Sequence, residues 1–200
     1  STAPLISTSV IDLDGLDESE RQRVTLDYTF ENEGGLIERA FVAGYYQQSA
    51  MRQFSAEDRF TAADRTRDTY FENDVWGVSA QLESALQTGS VRHRLTYGGD
   101  YSRTRQEGLR DGTVPPAGET FPSRPFPNTE YALAGLFVQD EISLMDGQVT
   151  IFPALRYDSY ELEPERDALY TATVAGQSDD RLSPRLGVTI WPSDRFGVFT

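Results

Sequence analysis

The chain has no cysteine, no lysine and a single histidine, His93. Without cysteine there is no disulfide framework, no thiolate nucleophile and no thiolate-ligated metal. With one histidine and no lysine, Ser-His-Asp, Cys-His and lysine-based nucleophile schemes lack independent support. No Walker loop or dinucleotide fingerprint occurs, and Gly98-Gly99 lies within an alternating segment. Long apolar runs are also missing, so no segment reaches the roughly 18 residues of a transmembrane helix. Ser1-Thr2-Ala3-Pro4-Leu5 has neither the charged nor the apolar region of a signal peptide. Positive charge is scarce: 18 arginines against 32 acidic residues leave a net charge of −14. That balance makes a poor polyanion binder, because nucleic-acid affinity rests mainly on cations that neutralise phosphates.

What is present is alternation with period two. Val24, Leu26, Tyr28 and Phe30 interleave with Arg23, Thr25, Asp27 and Thr29, the pattern of a strand with one apolar face. The same pattern returns in 69–86 (Trp76, Val78, Ala80, Leu82, Leu86), 91–102 (Val91, His93, Leu95, Tyr97, Tyr101), 131–144, 148–160 and 181–191. Segment 36–48 is rich in aromatic and β-branched residues, but its parity is open: Ala40, Val42 and Tyr46 compete with Phe41, Ala43 and Tyr45. Met145-Asp146-Gly147 joins two strands as a three-residue hairpin turn. Pro153 and Pro184 cannot donate to a ladder, so each is expected at a bulge or beside an unpaired position. Residues 1–20, with the acidic cluster Asp12–Glu18, are expected to form a solvated loop. Their spacing does not fit an EF-hand.

The connections alternate in expected length: short at 32–35, 87–90, 145–147 and 192–194, long at 49–68, 103–129 and 161–180. A soluble sandwich has no reason to make every second connection long. A transmembrane barrel does, with tight turns on one side of the membrane and long loops on the other. A mean hydropathy of −0.49 is compatible with either, because barrel strands alternate lipid-facing and polar residues. The expected fold is therefore all-β: an antiparallel transmembrane β-barrel segment of about 7–8 meander strands over residues 21–200. Its short turns are periplasmic and its long loops extracellular. Residues 1–20 are an extracellular loop or poorly ordered segment.

Several segments share a family resemblance. Tyr45-Tyr46-Gln47, Trp76–Ser84 (WGVSAQLES), His93–Tyr101 (HRLTYGGDY), Phe137–Ile142 (FVQDEI), Leu155–Asp158 (LRYD) and Arg181–Gly187 (RLSPRLG) occur in order. This series resembles the barrel strands of TonB-dependent outer-membrane receptors, in particular the haem/haemoglobin/transferrin receptor branch. The resemblance implies a non-enzymatic receptor in the Gram-negative outer membrane. It also implies uptake powered by the TonB–ExbB–ExbD complex through a plug domain that no segment here matches. The transported ligand is then haem or iron from a haem protein, with a ferric siderophore as the alternative. A soluble or surface-displayed all-β adhesion module without transport is the reading from another class.

No catalytic residue and no metal site can be named, and no cofactor is expected to be bound by this segment. His93 shares parity with Leu95 and Tyr97, which aims it at lipid near a periplasmic turn rather than at a haem. Asp140 and Glu141 are neighbours on a strand and point to opposite faces, so they cannot form one acid–base site. Asp179 and Asp180 are expected in solvated loop. On the lumen-facing parity, Arg92, Arg94, Arg156 and Arg185 are expected to pair with Asp27, Asp100 and Asp158; a direct part in passing an anionic ligand is the alternative. Ten tyrosines leave no single one selected as a ligand.

Overall fold

The computed structural model describes residues 9–170, 172–193 and 196–200. Eight strands follow one another as an antiparallel meander in a single sheet. They are β1 (Val10–Glu31), β2 (Arg39–Arg59), β3 (Arg65–Thr88), β4 (Val91–Gly112), β5 (Thr129–Leu144), β6 (Val149–Pro164), β7 (Gln177–Ser193) and β8 (Phe196–Phe199). Every neighbour in sequence is a neighbour in space, as short antiparallel connections dictate. At one rim, β3 and β4 meet through Ser90 and Gly89, with Thr88 opposite Val91. On the same rim Met145, Asp146 and Gly147 all take positive φ, 54°, 54° and 90°, closing the predicted turn between β5 and β6.

The ladder registers sort the side chains onto two faces. Val24, Leu26 and Tyr28 of β1 lie opposite Tyr46, Gly44 and Val42 of β2, which lie opposite Trp76, Val78 and Ala80 of β3. The row continues through Leu95 and Tyr97 of β4, Val138 and Ile142 of β5, Leu155 and Ile151 of β6, and Pro184 and Val188 of β7. The open parity of β2 is thereby decided: Ala40, Val42 and Tyr46 join the apolar face, and Phe41, Ala43 and Tyr45 the polar one. The apolar face is uncovered, with Leu26 at 78% and Leu136 at 64% exposure, and no apolar side chain is buried among the described residues. A soluble sandwich hides one face of each sheet. This sheet has no such core. A run of about ten residues per strand, tilted by about 40°, covers roughly the 25 Å apolar band of an outer-membrane barrel.

Where the chain leaves this band, the sequence expectations need correction. Residues 10–20 are strand, not loop; residues 1–8 of that expected segment lie outside the described residues. The expected long loops shrink to 60–64, 113–128 and 165–176, because β2, β3 and β4 run on with 21, 24 and 22 residues each. Connection 60–64 is even shorter than connection 32–38 across the sheet, so the strict alternation of lengths fails at this pair. The physical reason is that alternation requires one dry face. Beyond the band both faces are wet, and ladder hydrogen bonds hold the strands without any apolar period. Asp179 and Asp180 are exposed as expected, yet they lie in β7. Pro192 and Ser193 of the expected last turn belong to β7, while Asp194 lies outside the described residues.

Both prolines sit where the ladder is interrupted. The β5–β6 pairing passes from Gln139–Ala154 to Ile142–Ile151 and skips Pro153, which keeps its register with Leu186 of β7. Pro184 pairs with Leu155, and β8 reaches only Thr189–Ser193 on the other side of β7. Glycine at the polar face serves close approach. A Cβ on Gly98 would run into the Ala80 carbonyl oxygen and come within 3.0 Å of Gln81 Cα. Because that obstacle is backbone, Gly98→Ala should lower unfolding stability in detergent by about 1–3 kcal/mol. Urea titration followed by the heat-dependent gel shift of the folded barrel measures it; an unchanged midpoint would contradict the close contact.

Candidate functional site

The polar face carries the charged side chains at mid-strand. Asp100 of β4, Gly135 of β5 and Asp158 of β6 are in direct register, so the two carboxylates flank a residue without a side chain. Arg156 fills that gap. Its Nε donates to Asp158 Oδ1 at 2.7 Å and its Nη2 to Asp100 Oδ1 at 3.2 Å, tying β4 to β6 across β5. A Cβ at position 135 would strike Arg156 Nη2 and approach Asp100 Oδ1 to 2.9 Å. With Leu133, Tyr160, Asp179 and Arg181 these groups line an open cavity of about 330 Å³. The expected pairing is thus found for Arg156, Asp100 and Asp158. Arg92, Arg94, Arg185 and Asp27 enter no ion pair within 4 Å among the described residues: Arg92, Arg185 and Asp27 face uncharged residues across the ladder, and Arg94 stays unpaired although Glu141 lies opposite it.

At the loop rim, connection 113–128 folds against the polar face, and residues 165–170 fold against that connection. Phe126 meets the edge of Phe71 at 6.0 Å, a contact that the bare Gly108 between them allows. Phe121 lies over the Arg67 guanidinium at 5.1 Å, and Arg67 Nη1 donates to the Thr113 carbonyl at 2.7 Å. Ser123 exchanges both backbone hydrogen bonds with Arg110 of β4, at 2.7 and 2.9 Å. Arg124 joins the two loops: it forms an ion pair with Asp167, its Nη1 donates to the Gly108 carbonyl at 3.0 Å, and its backbone N–H donates to Leu169. The Leu169 N–H and the Arg124 guanidinium both hold the Asp167 carboxyl below its ordinary value of 3.8. A depressed folded pKa contributes order above the unfolded value and loses it as pH falls through the folded one. Protection of the amides at 165–170, taken as exchange relative to the intrinsic rate at each pH, should therefore be high at neutral pH and fall below about pH 4. No protection at pH 7 would show that this link does not order the loop.

Two of the polar features on the apolar parity stand out, and sequence reasoning missed both. Beyond the band, Arg52 forms a double hydrogen bond with Asp68, at 3.0 and 2.7 Å, while Tyr70 donates to the same carboxylate at 2.8 Å. The guanidinium lowers the Asp68 pKa, and the carboxylate raises those of Arg52 and Tyr70. Within the band, His93 Nδ1 lies 2.7 Å from Asp140 Oδ2. His93 has the expected facing, beside Leu86 and Ile142, but it is partnered. Strand parity alone could have flagged Asp140, because it shares the apolar face with Val138 and Ile142. Among the described residues no cluster of three or more His, Cys, Asp or Glu side chains is arranged to hold a metal ion.

A one-layer meander, an uncovered apolar band and a charged opposite face make a sheet for the wall of a membrane barrel. The family described as "TonB dependent receptor-like, beta-barrel" matches residues 3–199. The chain belongs to that family. Its polar face is accordingly the lumen side of a TonB-dependent receptor barrel, and its apolar band the lipid side. Among solved structures it is similar to the ferric citrate transporter FecA in the unliganded form, with TM-score 0.65 and 20% identity, over 92% of this chain and 27% of that one. It is also similar to BauA, the ferric preacinetobactin receptor from Acinetobacter baumannii, with TM-score 0.62 and 14% identity, over 92% and 30%. A third is the copper transporter OprC, with TM-score 0.58 and 14% identity, over 91% and 29%. At these identities the likeness is one of fold. The chain spans 27–30% of the length of these three solved chains. No curated protein matches it in sequence.

Proposed function

We propose that this chain is part of the barrel wall of a Gram-negative outer-membrane receptor that takes up iron in complexed form with energy delivered through TonB. The carrying observation is the uncovered apolar band backed by a charged lumen face, in a chain of the TonB-dependent receptor family. Haem or a haem protein is the first ligand reading, supported by the ordered strand motifs from Tyr45 to Gly187. A ferric siderophore is the second, supported by neighbours that handle ferric citrate and ferric preacinetobactin. The short turns face the periplasm in this reading, and connections 60–64, 113–128 and 165–176 face outward. His93 takes no part in binding haem, because it lies on the lipid side.

The test uses the full-length receptor in an outer-membrane host that lacks its own iron receptors. Under iron starvation, growth should be restored by one ligand class, haem or haemoglobin on one hand or ferric siderophores on the other, and only when TonB is intact. Rescue by haem alone supports the first reading, and rescue by a siderophore alone supports the second. Rescue by neither, with the receptor present in the membrane, would overturn both.

A further inference from the structure

The lumen face at the loop rim is a local exception in an acidic chain. Arg65, Arg67, Arg110 and Arg124 gather there. Arg65 is neutralised by Glu57 at 2.6 Å and Arg124 by Asp167. Among the described residues Arg67 has no carboxylate partner within ion-pair distance; desolvation and then the neighbouring Arg65 hold its pKa below the usual guanidinium value. Among the described residues Arg110 forms no ion pair either, and the residue is exposed. Its backbone, however, is fixed twice, by the ladder to Thr69 of β3 and by the bridge to Ser123. Arg110 borders a cavity of about 380 Å³ between connections 113–128 and 165–176, whose wall includes Thr120, Ser123, Arg124 and Tyr170, with Glu119 as its acidic member. The two loops that close the cavity are already joined through Arg124. A guanidinium on a fixed backbone, with a phenol and two hydroxyls nearby, matches a planar oxyanion.

We propose that this inter-loop cavity is a subsite for a carboxylate of the arriving chelate, with Arg110 as its cation and Tyr170, Thr120 and Ser123 as hydroxyl donors. The assignment rests on the receptor reading above and narrows it: the ligand carries free carboxylates. Haem propionates and a citrate-type ferric chelate both supply that group, whereas an uncharged ferric trihydroxamate does not.

Full-length receptor in detergent is titrated with haem, ferric citrate, an uncharged ferric trihydroxamate and metal-free citrate, following intrinsic fluorescence. The wild type is compared with Arg110→Gln and Tyr170→Phe, each checked for folding by its heat-dependent gel shift. Arg110→Gln should weaken whichever carboxylate-bearing chelate binds by tenfold or more, Tyr170→Phe should weaken it several-fold, and any trihydroxamate binding should not change. If the wild type binds a carboxylate-bearing chelate and Arg110→Gln binds it equally well, or if the trihydroxamate alone binds, the subsite is wrong and the receptor reading stands. If no chelate binds but metal-free citrate does, in an Arg110-dependent manner, the subsite stands and the receptor reading falls. If nothing binds, both fall.

Discussion

Val138→Arg should prevent most of the protein from reaching a folded, membrane-inserted state, while Gln139→Arg, one residue away, should leave folding intact. Val138 projects from the middle of the apolar band and is 42% exposed, with Tyr97 and Leu155 as its cross-strand neighbours. An arginine there faces hydrocarbon, at about 2–4 kcal/mol for a guanidinium near the bilayer midplane. Gln139 lies between Thr96 and Ala154 on the lumen face, where water is available. Equilibrium unfolding of the full-length receptor in lipid vesicles measures the difference directly. Equal effects of the two substitutions would mean that the faces have been assigned the wrong way round.

The second large effect concerns His93 and Asp140. Their side chains are 26% and 18% exposed, and Asp140 Oδ1 is buried without a hydrogen-bond partner. The pair sits on the lipid side near the turn rim, where a lone carboxylate has neither water nor a counter-charge. Breaking a buried pair from one side leaves the other charge uncompensated, at about 3–5 kcal/mol when burial is complete. With partial exposure His93→Leu should lose about 2–3 kcal/mol, and the double variant His93→Leu/Asp140→Leu under about 1 kcal/mol. A double variant no more stable than the single one would show that the aspartate does not depend on the histidine.

The band strands were legible because a membrane wall imposes alternation with period two, and Val24–Phe30, Trp76–Leu86 and His93–Tyr101 obey it. The proline positions were legible for a similar reason, since a residue without an N–H must face a gap in the ladder. The strands beyond the band were not legible. Asp12–Glu20 and Ser49–Arg59 are wet on both sides, so no period marks them, and their polar composition reads as loop. The Arg156 cluster was half legible: parity placed Arg156, Asp100 and Asp158 on one face, but the same rule equally offered Arg92, Arg94, Arg185 and Asp27. Only register separates them, because it brings Asp100, Gly135 and Asp158 into line and leaves the guanidinium room to lie across the glycine.

By itself, then, the sequence determined an all-β meander with one lipid-compatible face, because alternation and composition act locally along the chain. Tertiary structure decided what depends on one strand's offset against the next. It chose the facing of β2, found the partner of His93, selected the arginine that joins β4 to β6, and closed connections 113–128 and 165–176 through Arg124. Each of these joins residues far apart in sequence. Cross-strand distance depends on ladder register and on the path of the loops, and neither leaves a periodic mark in the chain.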